Sequence, residues 1–321
     1  MSENTCILCV GLLCLDIVSE CEQFPKEDDK VGTTTLPNRC VSQKWQRGGN
    51  ASNTSTVLAL LGDTPTLACT LANSPEKQFL VTDMAKYGIK EDGVVYHDGV
   101  ACPSSVVICS LASGSRTIIH SNQNLPELSV EDFKSLPLHT FSWVHFEGRN
   151  LSNVLMMQQM LRRAYPSAKI SSELEKVRPD MDLLTLNSDV IFVSKDYARH
   201  LGYEDMKTAA QDIAQKAATG RNLDVNRCRT VIVPWGEDGA SGYSEEEGLV
   251  SCEASVPQGG VVETLAAGDT FIGAALHALS RGKSLKTTLE FSCRVAGLKV
   301  GLKGYEAFGE ALRKCAWVKE L

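Results

Sequence analysis

Residues 6–16 read Cys6-Ile7-Leu8-Cys9-Val10-Gly11-Leu12-Leu13-Cys14-Leu15-Asp16, and the fold class turns on how that run is taken. A near-continuous apolar stretch over 6–13 is what a central parallel strand looks like when helices cover both faces of its sheet. It ends at Asp16, a carboxylate at a strand's carboxyl end, where open α/β sheets bind ligands. No basic residue precedes the run and an acid closes it, so it does not read as a signal peptide.

Outward from it the pattern alternates. Strand-like segments at 66–70, 94–97, 142–146, 169–173, 189–194 and 230–235 are separated by helical stretches, several closed by a glycine (Gly62, Gly202, Gly220). Repeated strand–helix alternation predicts βαβ units, a parallel sheet and helices on both faces. Runs at 104–111 and 116–120, joined by Ala112-Ser113-Gly114-Ser115, predict a hairpin. Residues 24–38 are polar, with Pro25 and Pro37, and predict a projecting loop or hairpin. Residues 239–249 read as a hairpin with Glu245-Glu246-Glu247-Gly248 as a solvated tip, not a metal site. With no internal repeat and no long linker, 1–321 reads as one α/β domain with a β-rich excursion.

The net charge of -7 argues against a nucleic-acid binder, and no apolar run is long enough to span a membrane. The 12 cysteines are scattered through apolar segments, as expected of reduced thiols in a cytoplasmic protein. Cys6 and Cys9, three apart on a strand, face opposite ways, which disfavours zinc or redox pairing.

Chemistry concentrates at Glu263-Thr264-Leu265-Ala266-Ala267-Gly268-Asp269-Thr270, ahead of a helix that stops at Gly282. Small residues at a helix entrance leave backbone N–H groups open, a ready site for phosphate. Asp269, held ionised by those donors, suits a base that accepts a hydroxyl proton. An ordinary N-capped helix is the alternative on these residues alone. Gly48-Gly49-Asn50-Ala51-Ser52-Asn53 lets the backbone approach a ligand and puts two amides on one helical face, although Asn50 could simply cap. Arg116, just past a turn, is a surface charge or a phosphate clamp. Ala296 and Gly297 on a helix over 285–300 form a flat patch that suits an adenine ring or close helix packing.

In addition, Phe24-Pro25-Lys26-Glu27-Asp28, Trp45 to Asn53 and His145-Phe146-Glu147-Gly148-Arg149-Asn150 occur in order with Val193-Ser194-Lys195-Asp196, Trp235-Gly236-Glu237-Asp238-Gly239-Ala240, Thr264 to Thr270 and Val295-Ala296-Gly297. On these stretches the chain resembles the ribokinase-type carbohydrate kinases over nearly its whole length. Within that family it is most similar to the members that phosphorylate fructose at its C1 hydroxyl. The resemblance implies a Rossmann-like three-layer α/β sandwich of ribokinase type, with a small β-sheet lid from segments near 15–45 and 95–122 that pairs with a second copy. It implies that Asp16, Gly49, Asn50 and Asn53 hold the sugar, that Ala266, Ala267 and Gly268 form an anion hole, and that Asp269 is the base. It further implies that Arg116 reaches the phosphates of ATP from the lid, and that Trp235, Gly236, Glu237, Asp238, Gly239 and Ala296 line the nucleotide site. Mg²⁺ would be held mostly by ATP phosphates and water, since the Asn-x-x-Glu pattern of many relatives is not visible near 194–197. Glu263 replaces the usual Asp, which touches on a K⁺ loop nearby; Ala266 replaces a common Gly; and 30–38 is longer than expected. A kinase for another small sugar or nucleoside, or a non-catalytic binding protein on the same fold, is the rival reading.

Overall fold

The computed structural model describes residues 6–28, 39–219, 230–318 and 321. Most of the loop expected over 24–38, and the stop expected at Gly220, lie outside the described residues. In chain order the strands are β1 (Ile7–Val10), β2 (Cys14–Cys21), β3 (Cys40–Gly48), β4 (Thr66–Ala72), β5 (Lys90–His97), β6 (Ser104–Ser110), β7 (Arg116–Ser121), β8 (Trp143–Phe146), β9 (Lys169–Leu174), β10 (Val190–Val193), β11 (Thr230–Pro234), β12 (Ala240–Ser244) and β13 (Gly248–Cys252). The helices are α1 (Asn50–Leu60), α2 (Lys77–Lys86), α3 (Val130–Lys134), α4 (Leu151–Ala164), α5 (Lys195–His200), α6 (Met206–Thr219), α7 (Ala267–Ser280), α8 (Leu285–Val300) and α9 (Gly304–Lys314).

The large sheet runs β13-β12-β11-β10-β9-β8-β1-β4-β5. Its pairings are parallel from β5 through to β11, and the β11–β12–β13 edge is antiparallel. Strand alternation splits β1 between two cores: Leu8 and Val10 join the cluster under α4, α5 and α6, while Ile7 and Cys9 join the one under α1, α2, α7 and α8. That two-sided burial is why the run had to be apolar throughout. β1 lies between β4 and β8, so the chain order reverses beside it and opens a crevice at the carboxyl ends of β1 and β8.

The reading of residues 6–16 as one strand ending at an acid needs correction. The strand stops at Val10, and the chain crosses through Gly11–Leu13 into a separate four-stranded sheet ordered β3-β2-β6-β7, where Asp16 is the third residue of β2. β5 overlaps the segment expected near 95–122, yet belongs to the large sheet. The small sheet is two-faced. The register puts Asp16, Ser105 and His120 side by side on one face, and Trp45, Ile17, Val106 and Ile119 on the other.

Two contacts fix α1 relative to the rest. Arg47 at the end of β3 is buried, pairs with Asp83 at 2.7 Å, and donates to the Ser52 carbonyl and the Thr56 hydroxyl of α1. Gly273 on α7 lies against Val57, where a Cβ would come within 2.8 Å. One turn earlier on each helix stand Asn53 and Asp269. The 239–249 hairpin forms as β12 and β13, but its tip is not wholly solvated: the Glu247 carboxylate accepts from the N–H groups of Leu285 and Lys286 at the start of α8. No helix among the described residues is long and apolar enough to cross a membrane, and none of their cysteines is in a disulfide.

Candidate active site

Two clefts, of about 710 and 630 Å³, open along the carboxyl ends of the large sheet. Asp16, Gly49, Asn50, Asn53, Ala266 and Asp269 line the first. Gly236, Glu237, Gly239, Ala296 and Gly297 line the second. Ala267, Gly268 and Arg116 line both, so the entrance to α7 is where the two meet.

At that entrance Ala266 adopts a left-handed conformation (φ 59°) ahead of the first helical residue, Ala267. Such a turn costs an alanine about 1–2 kcal/mol, a strain characteristic of ligand sites. The Ala267 N–H turns back to the Thr264 carbonyl at 3.2 Å, whereas the N–H groups of Gly268 and Asp269, in the first helical turn, have no backbone acceptor among the described residues. A Cβ built on Gly268 meets nothing within 4 Å, so that glycine faces open cleft. Gly49 and Gly239 are glycines for the backbone's sake: each has φ 98°, and a Cβ would lie 2.2 Å from the Leu12 carbonyl and 2.1 Å from that of Cys252. Gly297 is likewise packed on Ser255, so the flat patch serves close packing as well as lining the cleft.

Asp269 is 9% exposed and accepts a 2.7 Å hydrogen bond from the Asn53 amide. The expectation that helix donors hold it ionised is reversed. Burial, with the Glu173 charge next in size, pushes its carboxyl well above the usual carboxylate range, and Asn53 only pulls back against them. Asp16 is also raised by burial.

Asn50 is not a cap. It is the first residue of α1, and its amide donates to Glu173 at 3.1 Å and Glu175 at 2.6 Å. Glu173, at the end of β9, also contacts His145 Nε2 at 2.9 Å. Burial pushes the Glu173 carboxyl up and His145 down to about 3, so it works against charge on both partners of this contact. Glu147, one residue past β8, accepts from the Leu12 N–H at 2.7 Å and lines the same cleft. The sequence reading gave Glu147, Glu173 and Glu175 no role. Their signal was the one used for Asp16: an acid at or just beyond the carboxyl end of a parallel strand.

Arg116 on β7 reaches the Thr264 hydroxyl, tying the small sheet to the anion-hole loop. Two residues expected in the nucleotide site do not line either cleft. Trp235 is buried in the core with Lys195 and Arg199 over its ring, and Asp238 points to Lys195 at 3.5 Å. Glu263 accepts from Lys299 at 2.8 Å and from the Gly304 N–H at 3.0 Å.

A model of the pfkB family of carbohydrate kinases matches residues 4–309. The chain belongs to that family. This phosphotransferase is 38% identical to mouse ketohexokinase over 95% of its own length and 99% of the relative's. Among solved structures, the kinase superposes on Arabidopsis thaliana ribokinase with a TM-score of 0.75 at 20% identity, covering 97% of this chain and 98% of that one. Adenosine kinase from Sinorhizobium meliloti gives 0.77 at 19% identity, covering 98% and 100%. The fold of this sugar kinase is therefore the ribokinase type, a large mixed sheet with a second small one.

Proposed function

We propose that the enzyme transfers the γ-phosphoryl group of ATP to the C1 hydroxyl of fructose. The observation that carries this is the junction of the two clefts at Ala267–Gly268, with a buried carboxylate, Asp269, on one side and Arg116 reaching both. Phosphoryl transfer asks a protein mainly for positioning and charge stabilisation, and that junction offers both. The polar cleft receives the sugar, with Asp16, Gly49, Asn50 and Asn53 at its hydroxyls. Asp269 takes the proton of the attacking hydroxyl, and its raised pKa brings it closer to the operating pH of a general base. The Gly268 and Asp269 N–H groups meet charge on the transferring oxygens, and Arg116 offsets charge on the nucleotide tail.

The second cleft, walled by Val256, Val261, Phe271 and Ala296, suits an adenine ring. Magnesium bound to the phosphates would neutralise their charge. The small sheet serves as a lid that excludes water, and its outer face pairs with a second copy. Trp45 (49% exposed), Val106 (40%) and Ile119 (60%) form an apolar row across that face, which a partner would cover. Sedimentation finding only monomer at micromolar concentration would remove the dimer.

Fructose rests on the likeness to ketohexokinase. Ribokinase and adenosine kinase neighbours share the fold alone, at identities too low to argue for their substrates. ADP release measured with fructose, ribose and adenosine in parallel tests the choice: kcat/KM should be highest with fructose. A higher value for ribose or adenosine would sink the fructose assignment and leave the sugar-kinase assignment standing.

A further inference from the structure

Lys299, in the last turn of α8, is 1% exposed and lines neither cleft. Its ammonium carries three N–H donors, and three oxygens of residues 263–265 receive it: the Leu265 carbonyl at 2.5 Å, Glu263 Oε2 at 2.8 Å and the Glu263 carbonyl at 3.4 Å. A set of three acceptors, one of them a carboxylate, matches the protonated amine and not the neutral one. The negative end of α8 adds to the preference for a cation there.

The cradle is itself held. Glu263 Oε2 takes the Gly304 N–H at 3.0 Å, and the N–H groups of Val262 and Glu263 both donate to the Val300 carbonyl, at 2.7 and 3.1 Å. The cradle leads directly into the anion hole. The next residue after Leu265 is Ala266, in its left-handed turn, and then come Ala267 and Gly268 at the junction of the clefts. Thr264, inside the cradle, is also where Arg116 of the small sheet attaches. The ammonium therefore sits behind the anion-hole loop and draws two carbonyl-bearing units toward α8. Without it, two carbonyls and a carboxylate would face one another in a buried space.

We propose that the Lys299 ammonium is a built-in cation that fixes residues 263–265 and thereby positions the anion hole, making the site indifferent to added monovalent ions. Its catalytic half rests on the phosphoryl-transfer function proposed for the junction of the clefts; its structural half does not. Lys299 is a positioning residue, since it touches neither cleft.

Two variants and two readouts test it. Lys299→Ala leaves an oxygen-lined hole that a small cation can refill; Lys299→Met fills the space without charge. In tetramethylammonium buffer the ligand-free Ala variant should melt roughly 5–10 °C below wild type, as expected when a buried charge loses its partner. Ammonium or potassium should recover part of that shift in the Ala variant, with no effect on the Met variant or the wild type. In turnover, both variants should lose about 10²-fold in kcat with little change in sugar KM, the cost of a misplaced anion hole, and small cations should restore only the Ala variant. A wild type that requires potassium, a Met variant that turns over normally, or an Ala variant whose melting ignores every small cation would each overturn the proposal. If no sugar is phosphorylated by wild type, the function assignment fails while the melting experiment still decides the cation claim. If the Ala variant does not fold, the kcat–KM split of the Met variant decides it.

Discussion

Asn53→Ala removes the donor that holds Asp269. The Asn53 amide lies 2.7 Å from Asp269 Oδ2, both side chains are buried, and the amide acts on that carboxylate in the direction of ionisation. A hydrogen bond to a charged group is worth about 1.5–3 kcal/mol, which corresponds to a factor of roughly 10–150 in the ionisation equilibrium of Asp269. The direction comes from the environment. Burial and Glu173 already raise the carboxyl, so losing the amide raises it further and a larger fraction is protonated at any given pH. The assay is the pH dependence of kcat/KM, which reports groups of the free enzyme. The acid limb should move to higher pH in the variant, on top of a pH-independent drop in kcat/KM from the missing sugar contact. Folding stability should carry the same signature. A carboxyl raised on folding contributes stability that is fully present below its unfolded pKa and is lost as pH rises through the folded one, so the variant's loss should extend to higher pH. Melting near pH 5 should change little otherwise, because truncation also removes the buried Asn53 Oδ1, which has no partner. An acid limb that stays in place, or moves down, refutes the assignment of Asn53 to Asp269.

Geometry sets two further outcomes. Gly268→Ala should fold and melt like wild type, because the added Cβ meets nothing within 4 Å, yet lose about 10²-fold in kcat by occupying the place of the transferring oxygens; normal turnover would remove the anion hole from Gly268. Ile119→Asp, in the apolar row of the small sheet, should shift sedimentation from dimer to monomer, and an unchanged dimer would place the interface elsewhere.

Elements written locally were legible in the sequence. The strands over 142–146 and 230–235, the 104–120 hairpin, and a helix closed by Gly62 (φ 97°) all depend on hydrophobic period and turn chemistry within a few residues. α9 carried the same signal, with Tyr305, Phe308, Gly309 and Leu312 buried at helical spacing, and was passed over. Features set by distant parts of the chain were not legible. The apolar run from Cys6 gives no sign that the chain changes sheets after Gly11, because both strands are apolar and only pairing with β6 and β8 separates them. The ionisation of Asp269 depends on Glu173, far away along the chain at the end of β9, and on burial that no local pattern encodes. Trp235 sits in a stretch that matches the family, yet faces the core. Lys299 looks in the sequence like one more charge on an amphipathic helix, and only the closure of residues 263–265 over it shows otherwise.

The most direct test of the central claim is turnover of fructose by wild type and by Asp269→Asn, measured as ADP formation together with ADP binding. A positioned general base is worth about 10²–10⁴ in rate, so the variant should lose that much in kcat while it binds ADP as wild type does and melts no lower than wild type near neutral pH. An Asp269→Asn enzyme that phosphorylates fructose at close to the wild-type rate would contradict the account.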